Sequence, residues 1–61
     1  MTRKAYYIVM DNGFTPEGVQ EYQSVFPAAE ADYSQFHSST EDAIEYIREC
    51  AGRDVIIEVP A

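Results

Sequence analysis

Cys50 is the only cysteine in a chain of 61 residues, and this restricts the possible folds more than any other feature. A domain of this size buries only about 60% of the surface its unfolded chain exposes. Many such domains compensate with disulfides or bound metal. A lone cysteine cannot close an internal bridge, and no cysteine or histidine spacing here matches a zinc site. Stability must therefore come from packing a single core, or from a partner chain. Tyr6, Tyr7, Phe14, Tyr22, Phe26, Tyr33, Phe36 and Tyr46 supply aromatic bulk for that core and argue against disorder. The expectation is one compact domain over residues 1–61, with no second core to enclose a substrate pocket.

The apolar patterning predicts an α/β or α+β domain. Residues 5–10, rich in β-formers and ended by Asp11-Asn12-Gly13, read as a strand, and so do residues 54–59, stopped by Pro60. Both runs are nearly continuously apolar, as in strands that are central or covered on both faces. Thr40 to Ala51 reads as a helix. Thr40 is placed at the N-cap, Glu41 and Asp42 in the first turn, Ala43, Ile44, Ile47 and Ala51 on an apolar stripe, and Gly52 at the stop. Thr15-Pro16-Glu17 resembles a second helix start. The spacing of Val19, Tyr22, Val25 and Phe26 extends that helix to Phe26, where Pro27 ends it, although Gly18 weakens it. Residues 31–36 alternate weakly and read as an edge strand. The predicted order is β-α-β-α-β, a three-stranded sheet packed with two helices, its strands parallel through crossovers. Two helices cover such a sheet only in part, which leaves apolar surface for a second copy or a partner.

Charge restricts function next. Eleven acidic residues face four basic ones, a net charge of −7. Direct binding to nucleic acid or anionic membrane begins with phosphate neutralisation by Lys and Arg, so this balance disfavours both and favours a basic protein partner. Glu41, Glu45 and Glu49 recur at i, i+4 and i+8, which puts three carboxylates on one helical face roughly 6 Å apart along the axis. Glu17, Glu21, Glu30 and Asp32 add supporting charge. Such a row could imitate DNA phosphates in a basic groove, or be an ordinary solvated face.

The remaining candidates point away from catalysis. His37 precedes Ser38-Ser39-Thr40, but no Gly-x-Ser-x-Gly elbow accompanies it, and a turn histidine leading into a helix cap is the simpler reading. Cys50 reads as a small buried apolar residue whose position near a helix C-terminus does not activate a thiol. Asp11-Asn12-Gly13 reads as a turn with positive φ at Asn12 or Gly13, since it has neither the glycine pattern nor the lysine of a phosphate loop. No metal or cofactor site is indicated, and the chain is expected not to be an enzyme. Met1-Thr-Arg-Lys followed by the apolar run is too short for a signal peptide. With one cysteine and no long apolar stretch, the expectation is a cytoplasmic protein, acting in the host cytoplasm if phage-encoded.

Two resemblances follow from these residues. In size, acidity and compact α/β build, the whole chain resembles small phage-encoded anti-CRISPR proteins of the DNA-mimic type. That resemblance implies a non-enzymatic inhibitor of a CRISPR effector complex, with the acid row as its contact surface. In parts, the chain is similar to HicB-type antitoxin domains: Phe26-Pro27 before a strand, then Ser39-Thr-Glu-Asp-Ala-Ile-Glu-Tyr-Ile, then Val55-Ile-Ile-Glu-Val-Pro60. This second likeness implies a strand before Pro27 and a protein-interaction or oligomerising module, possible as a homodimer, that binds through apolar sheet surface.

Overall fold

The computed structural model describes residues 6–60. Met1–Ala5 and Ala61 lie outside the described residues, as do the basic start of the chain and Ala5 of the first predicted strand. Four strands, β1 (Tyr6–Phe14), β2 (Gln20–Val25), β3 (Gln35–His37) and β4 (Ile56–Glu58), form one sheet in the order β3-β2-β1-β4. One α-helix, α1 (Thr40–Ala51), packs on it, and a short 3-10 segment (Ala28–Tyr33) links β2 to β3. β1 and β2 are antiparallel, as are β2 and β3, whereas β4 runs parallel to β1. The domain is thus small and α+β, but it has four strands and one α-helix where three strands and two helices are predicted. Only the connection from β3 through α1 to β4 is a helical crossover.

The principal correction concerns residues 15–26, where a hairpin replaces the predicted helix. Gly18 N–H donates to the Thr15 carbonyl at 2.8 Å, and Thr15 N–H donates to the Val19 carbonyl at 2.8 Å. Thr15-Pro16-Glu17-Gly18 is therefore a β-turn with proline second and glycine fourth, the residues a type I turn prefers. Gly18 adopts φ 82°, a left-handed backbone that no helix interior contains. Thr15 Oγ1 accepts from Val19 N–H at 3.3 Å, so the hydroxyl that resembles a helix cap fastens a hairpin loop instead. In β2 the side chains alternate: Tyr22, Ser24 and then Phe26 turn inward, Glu21, Gln23 and Val25 outward. Tyr22 and Phe26, four residues apart, satisfy both the helical and the strand period, which is how the pattern misleads.

Asp11-Asn12-Gly13 is not the turn. The β1–β2 register passes from Asp11↔Tyr22 to Phe14↔Gln20, so β1 carries one extra residue in a β-bulge. Gly13 takes φ 77° there. Asp11 Oδ1 accepts from Gly13 N–H at 2.8 Å and from Gln20 Nε2 at 2.6 Å, which holds the bulge.

Tyr7, Val9, Phe26, Ala43 and Ile47 form the core, supported by Tyr22, Ile44, Tyr46, Ala51, Val55 and Ile57. Tyr7 and Phe26 meet edge to face at 5.0 Å between ring centroids, the arrangement ring quadrupoles prefer. The N-cap of α1 is Ser39, one residue before the predicted Thr40; its side chain accepts from Asp42 N–H at 3.2 Å. Gly52, at φ 90°, ends the helix as predicted and donates to the Arg48 carbonyl. Residues 31–36, predicted as one strand, divide between the 3-10 segment and the edge strand β3. β4 is an edge strand, and β1 is central but covered on one face only, so neither run is enclosed on both sides.

Candidate interaction surfaces

Tyr7, Val9, Tyr22, Ser24 and Ile57 point toward α1. The 3-10 segment lies on that same side, since Glu30 meets Tyr7 and Tyr33 meets Phe26. The register then fixes what the other face presents. Met10, Gln23 and Phe36 stand in one row across β1, β2 and β3. Val25, Ile8 and Glu58 form the next row across β2, β1 and β4, and Tyr6 stands beside Ile56. Phe36 is 63% exposed, Tyr6 50%, Ile56 48% and Met10 46%, and among the described residues no helix or loop element packs over them. Their exposure follows from the element count, because a single helix can cover only one side of a sheet. Polar groups border the apolar centre. Tyr6 Oη donates to Glu58 Oε1 at 2.9 Å, and Asn12 Nδ2 donates to Gln23 Oε1 at 3.3 Å. The Glu58 carboxylate, with partial desolvation, holds the Tyr6 hydroxyl above the ordinary tyrosine range.

The predicted acid row is present on the opposite side of the molecule. Ala43 and Ile47 are fully buried beneath α1, so Glu41, Glu45 and Glu49 look away from the sheet, and all three are exposed. They line a shallow depression with Ile44, Arg48 and Arg53, so two arginines stand beside the three carboxylates. The four supporting acids do not join them. Glu17 is exposed in the hairpin turn, and Glu21 points to the open face of the sheet from β2. Glu30, on the 3-10 segment, lies 3.2 Å from the Tyr7 hydroxyl, and Asp32 is exposed on the same segment. The seven acids therefore do not form one surface.

His37 is not a turn residue but the last residue of β3. Its Nε2 lies 3.1 Å from Ser24 Oγ, and its ring packs 5.2 Å from that of Tyr46. Ser24 Oγ also accepts from Gln35 N–H at 3.2 Å and lies 3.3 Å from the Gln35 carbonyl. Ser24 is fully buried, so this serine–histidine contact is a latch between β2 and β3, and the neighbouring Ser39 is engaged in capping α1. Cys50 is exposed, contrary to the expectation of burial. The Tyr46 hydroxyl is held above the usual tyrosine range by partial desolvation first and by the Cys50 thiol second.

Among the described residues no group of three His, Cys, Asp or Glu side chains is placed to hold a metal ion, and no helix is long and apolar enough to cross a membrane. The open sheet face is the surface that sequence reasoning leaves without residue names. Its signal is the near-continuous apolar run of β1, which a one-helix fold cannot cover on both sides. Compared with protein-family models, curated proteins and solved structures, the chain matches none of them.

Proposed function

We propose that the chain is a non-enzymatic binding protein that holds a protein partner against the open face of its sheet. The observation that carries this is that Tyr6, Met10, Phe36 and Ile56 stand uncovered on one face of the sheet, each about half exposed or more. Apolar side chains gathered on one face mark interaction surfaces, whereas singly scattered ones do not. The strand before Pro27, the helix and the closing parallel strand are the elements that the likeness to HicB-type antitoxin domains requires, and they favour the same reading.

The test compares capture of partners from host lysate by the wild type, by a Met10→Ser/Phe36→Ser variant and by a Glu45→Lys/Glu49→Lys variant. A protein retained by the wild type and the lysine variant but lost by the serine variant supports binding at the sheet face. Capture unaffected by the serine substitutions would overturn it.

A second reading rests on a separate observation, the outward exposure of Glu41, Glu45 and Glu49 on one helix face. Here the chain inhibits a basic nucleic-acid-binding protein, a CRISPR effector complex in the first instance, by occupying its DNA groove. Under that reading the lysine variant loses inhibition, the serine variant keeps it, and binding weakens steeply with salt.

A further inference from the structure

We infer that the partner seated on the open sheet face is a cationic protein surface, an apolar centre flanked by lysine or arginine, and not a second copy of this chain. The inference rests on the reading of that face as the binding site and names what it selects. Size is the first consideration. Four strands about 4.8 Å apart, each contributing roughly four residues at about 3.3 Å, project a face on the order of 250 Å², only part of it apolar. A stable protein interface takes about 800 Å² from each partner. Most of the contact must therefore come from the rim, and the character of the rim decides the partner.

The rim is acidic. Glu58 lies beside Ile8 in the β1–β4 register and is fixed by the Tyr6 hydroxyl at 2.9 Å. Glu21 projects from β2 on the same face, and Glu17 is exposed in the turn beyond it. Among the described residues no lysine or arginine lies on any strand; Arg48 is on α1 and Arg53 in the loop after it.

Stacking two copies through this face would bring Glu21 and Glu58 of one chain into the same layer as those of the other. Among the described residues no strand supplies a cation to pair with them, and each chain carries a net charge of −7. Carboxylates desolvated without a partner oppose association. A partner with cations around an apolar knob satisfies the same carboxylates while burying Met10 and Phe36. The rim then selects the partner, and the apolar centre supplies area.

The test uses two probes, a short synthetic peptide of alternating leucine and lysine and its counterpart with every lysine replaced by glutamate. Each is titrated into isotopically labelled protein and followed by amide NMR shifts. The lysine probe should perturb Tyr6, Met10, Gln23 and Phe36 and lose affinity by about tenfold or more between low and high salt. It should weaken several-fold against a Glu21→Gln/Glu58→Gln variant, which keeps shape and hydrogen-bond acceptors while removing charge. The glutamate probe should bind the wild type much less. Equal binding of both probes, abolished by Phe36→Ser, would leave the face as the site and overturn its cationic preference. Perturbations confined to Glu41, Glu45 and Glu49 would overturn the face itself. A concentration-dependent dimer in sedimentation that Phe36→Ser returns to monomer would overturn the inference in favour of a second copy.

Discussion

The hydroxyl of Tyr7, a fully buried core residue, reaches the carboxylate of Glu30 at 3.2 Å and so ties the central strand to the 3-10 segment. Tyr7→Phe keeps the ring and removes this tie, and it should cost about 1 kcal/mol in urea denaturation. Burial first, and then Glu30, hold this hydroxyl above the ordinary value of 10.0. The unfolded chain thus ionises at lower pH than the folded one. The contribution is complete below pH 10.0 and is lost as pH rises through the raised folded value. The alkaline decline in stability should accordingly be shallower in Tyr7→Phe when unfolding is followed against pH. Parallel alkaline limbs would contradict this account.

Gly18→Ala separates a hairpin from a helix by the sign of its effect. In a helix interior the change would stabilise by about 1 kcal/mol. At φ 82°, with nothing within 4 Å of an added Cβ, it should destabilise by about 1 kcal/mol from backbone strain alone. Gly18→Asn should cost less, because asparagine tolerates that conformation. Thermal melts of the two variants decide the matter.

Ser24→Ala should weaken the β2–β3 edge. It strips the buried hydroxyl from Gln35 and His37, and leaving such groups unsatisfied costs about 1–3 kcal/mol. Amide exchange at Gln35, Phe36 and His37 should accelerate more than exchange in β1. Uniform acceleration across the sheet would mean that the hydroxyl is not a local latch.

The cap of α1 gives a paired comparison. Ser39→Ala removes the acceptor for Asp42 N–H and should cost about 1 kcal/mol, whereas Thr40→Ala should change stability by less than about 0.5 kcal/mol. Equal losses would place the cap one residue later.

Much of this architecture is legible in the chain because local chemistry and packing agree. Thr40–Ala51 carries its own stripe, acidic first turn and glycine stop, and Val55, Ile56, Ile57 and Val59 are β-branched residues ahead of Pro60. The hairpin is hidden because its signals are shared. A hydroxyl followed by proline and an acid starts a helix or a type I turn equally well, and only Gly18 at the fourth position distinguishes them. The 3-10 segment is hidden for another reason: Ala28-Ala-Glu-Ala-Asp-Tyr33 is held not only by nearby Phe26 but by Tyr7, a residue remote in sequence. At the candidate surfaces, helical spacing locates Glu41, Glu45 and Glu49 on one face correctly. That some apolar sheet surface stays uncovered is legible, but the residues that present it are not, because which side of β1 is covered depends on how many helices the whole chain forms.

The bulge at Gly13 separates chain length from side-chain direction. By absorbing one residue, it leaves Phe14 across from Gln20 and on the side of the sheet that bears α1, although strict alternation from Tyr6 would put it on the other. Deleting Gly13 would let the ladder close with Phe14 still opposite Gln20. Flattening the bulge without a deletion would turn Phe14 onto the open face and enlarge its apolar centre. In evolutionary terms, this is a position where one codon can be gained or lost while the open face keeps its composition.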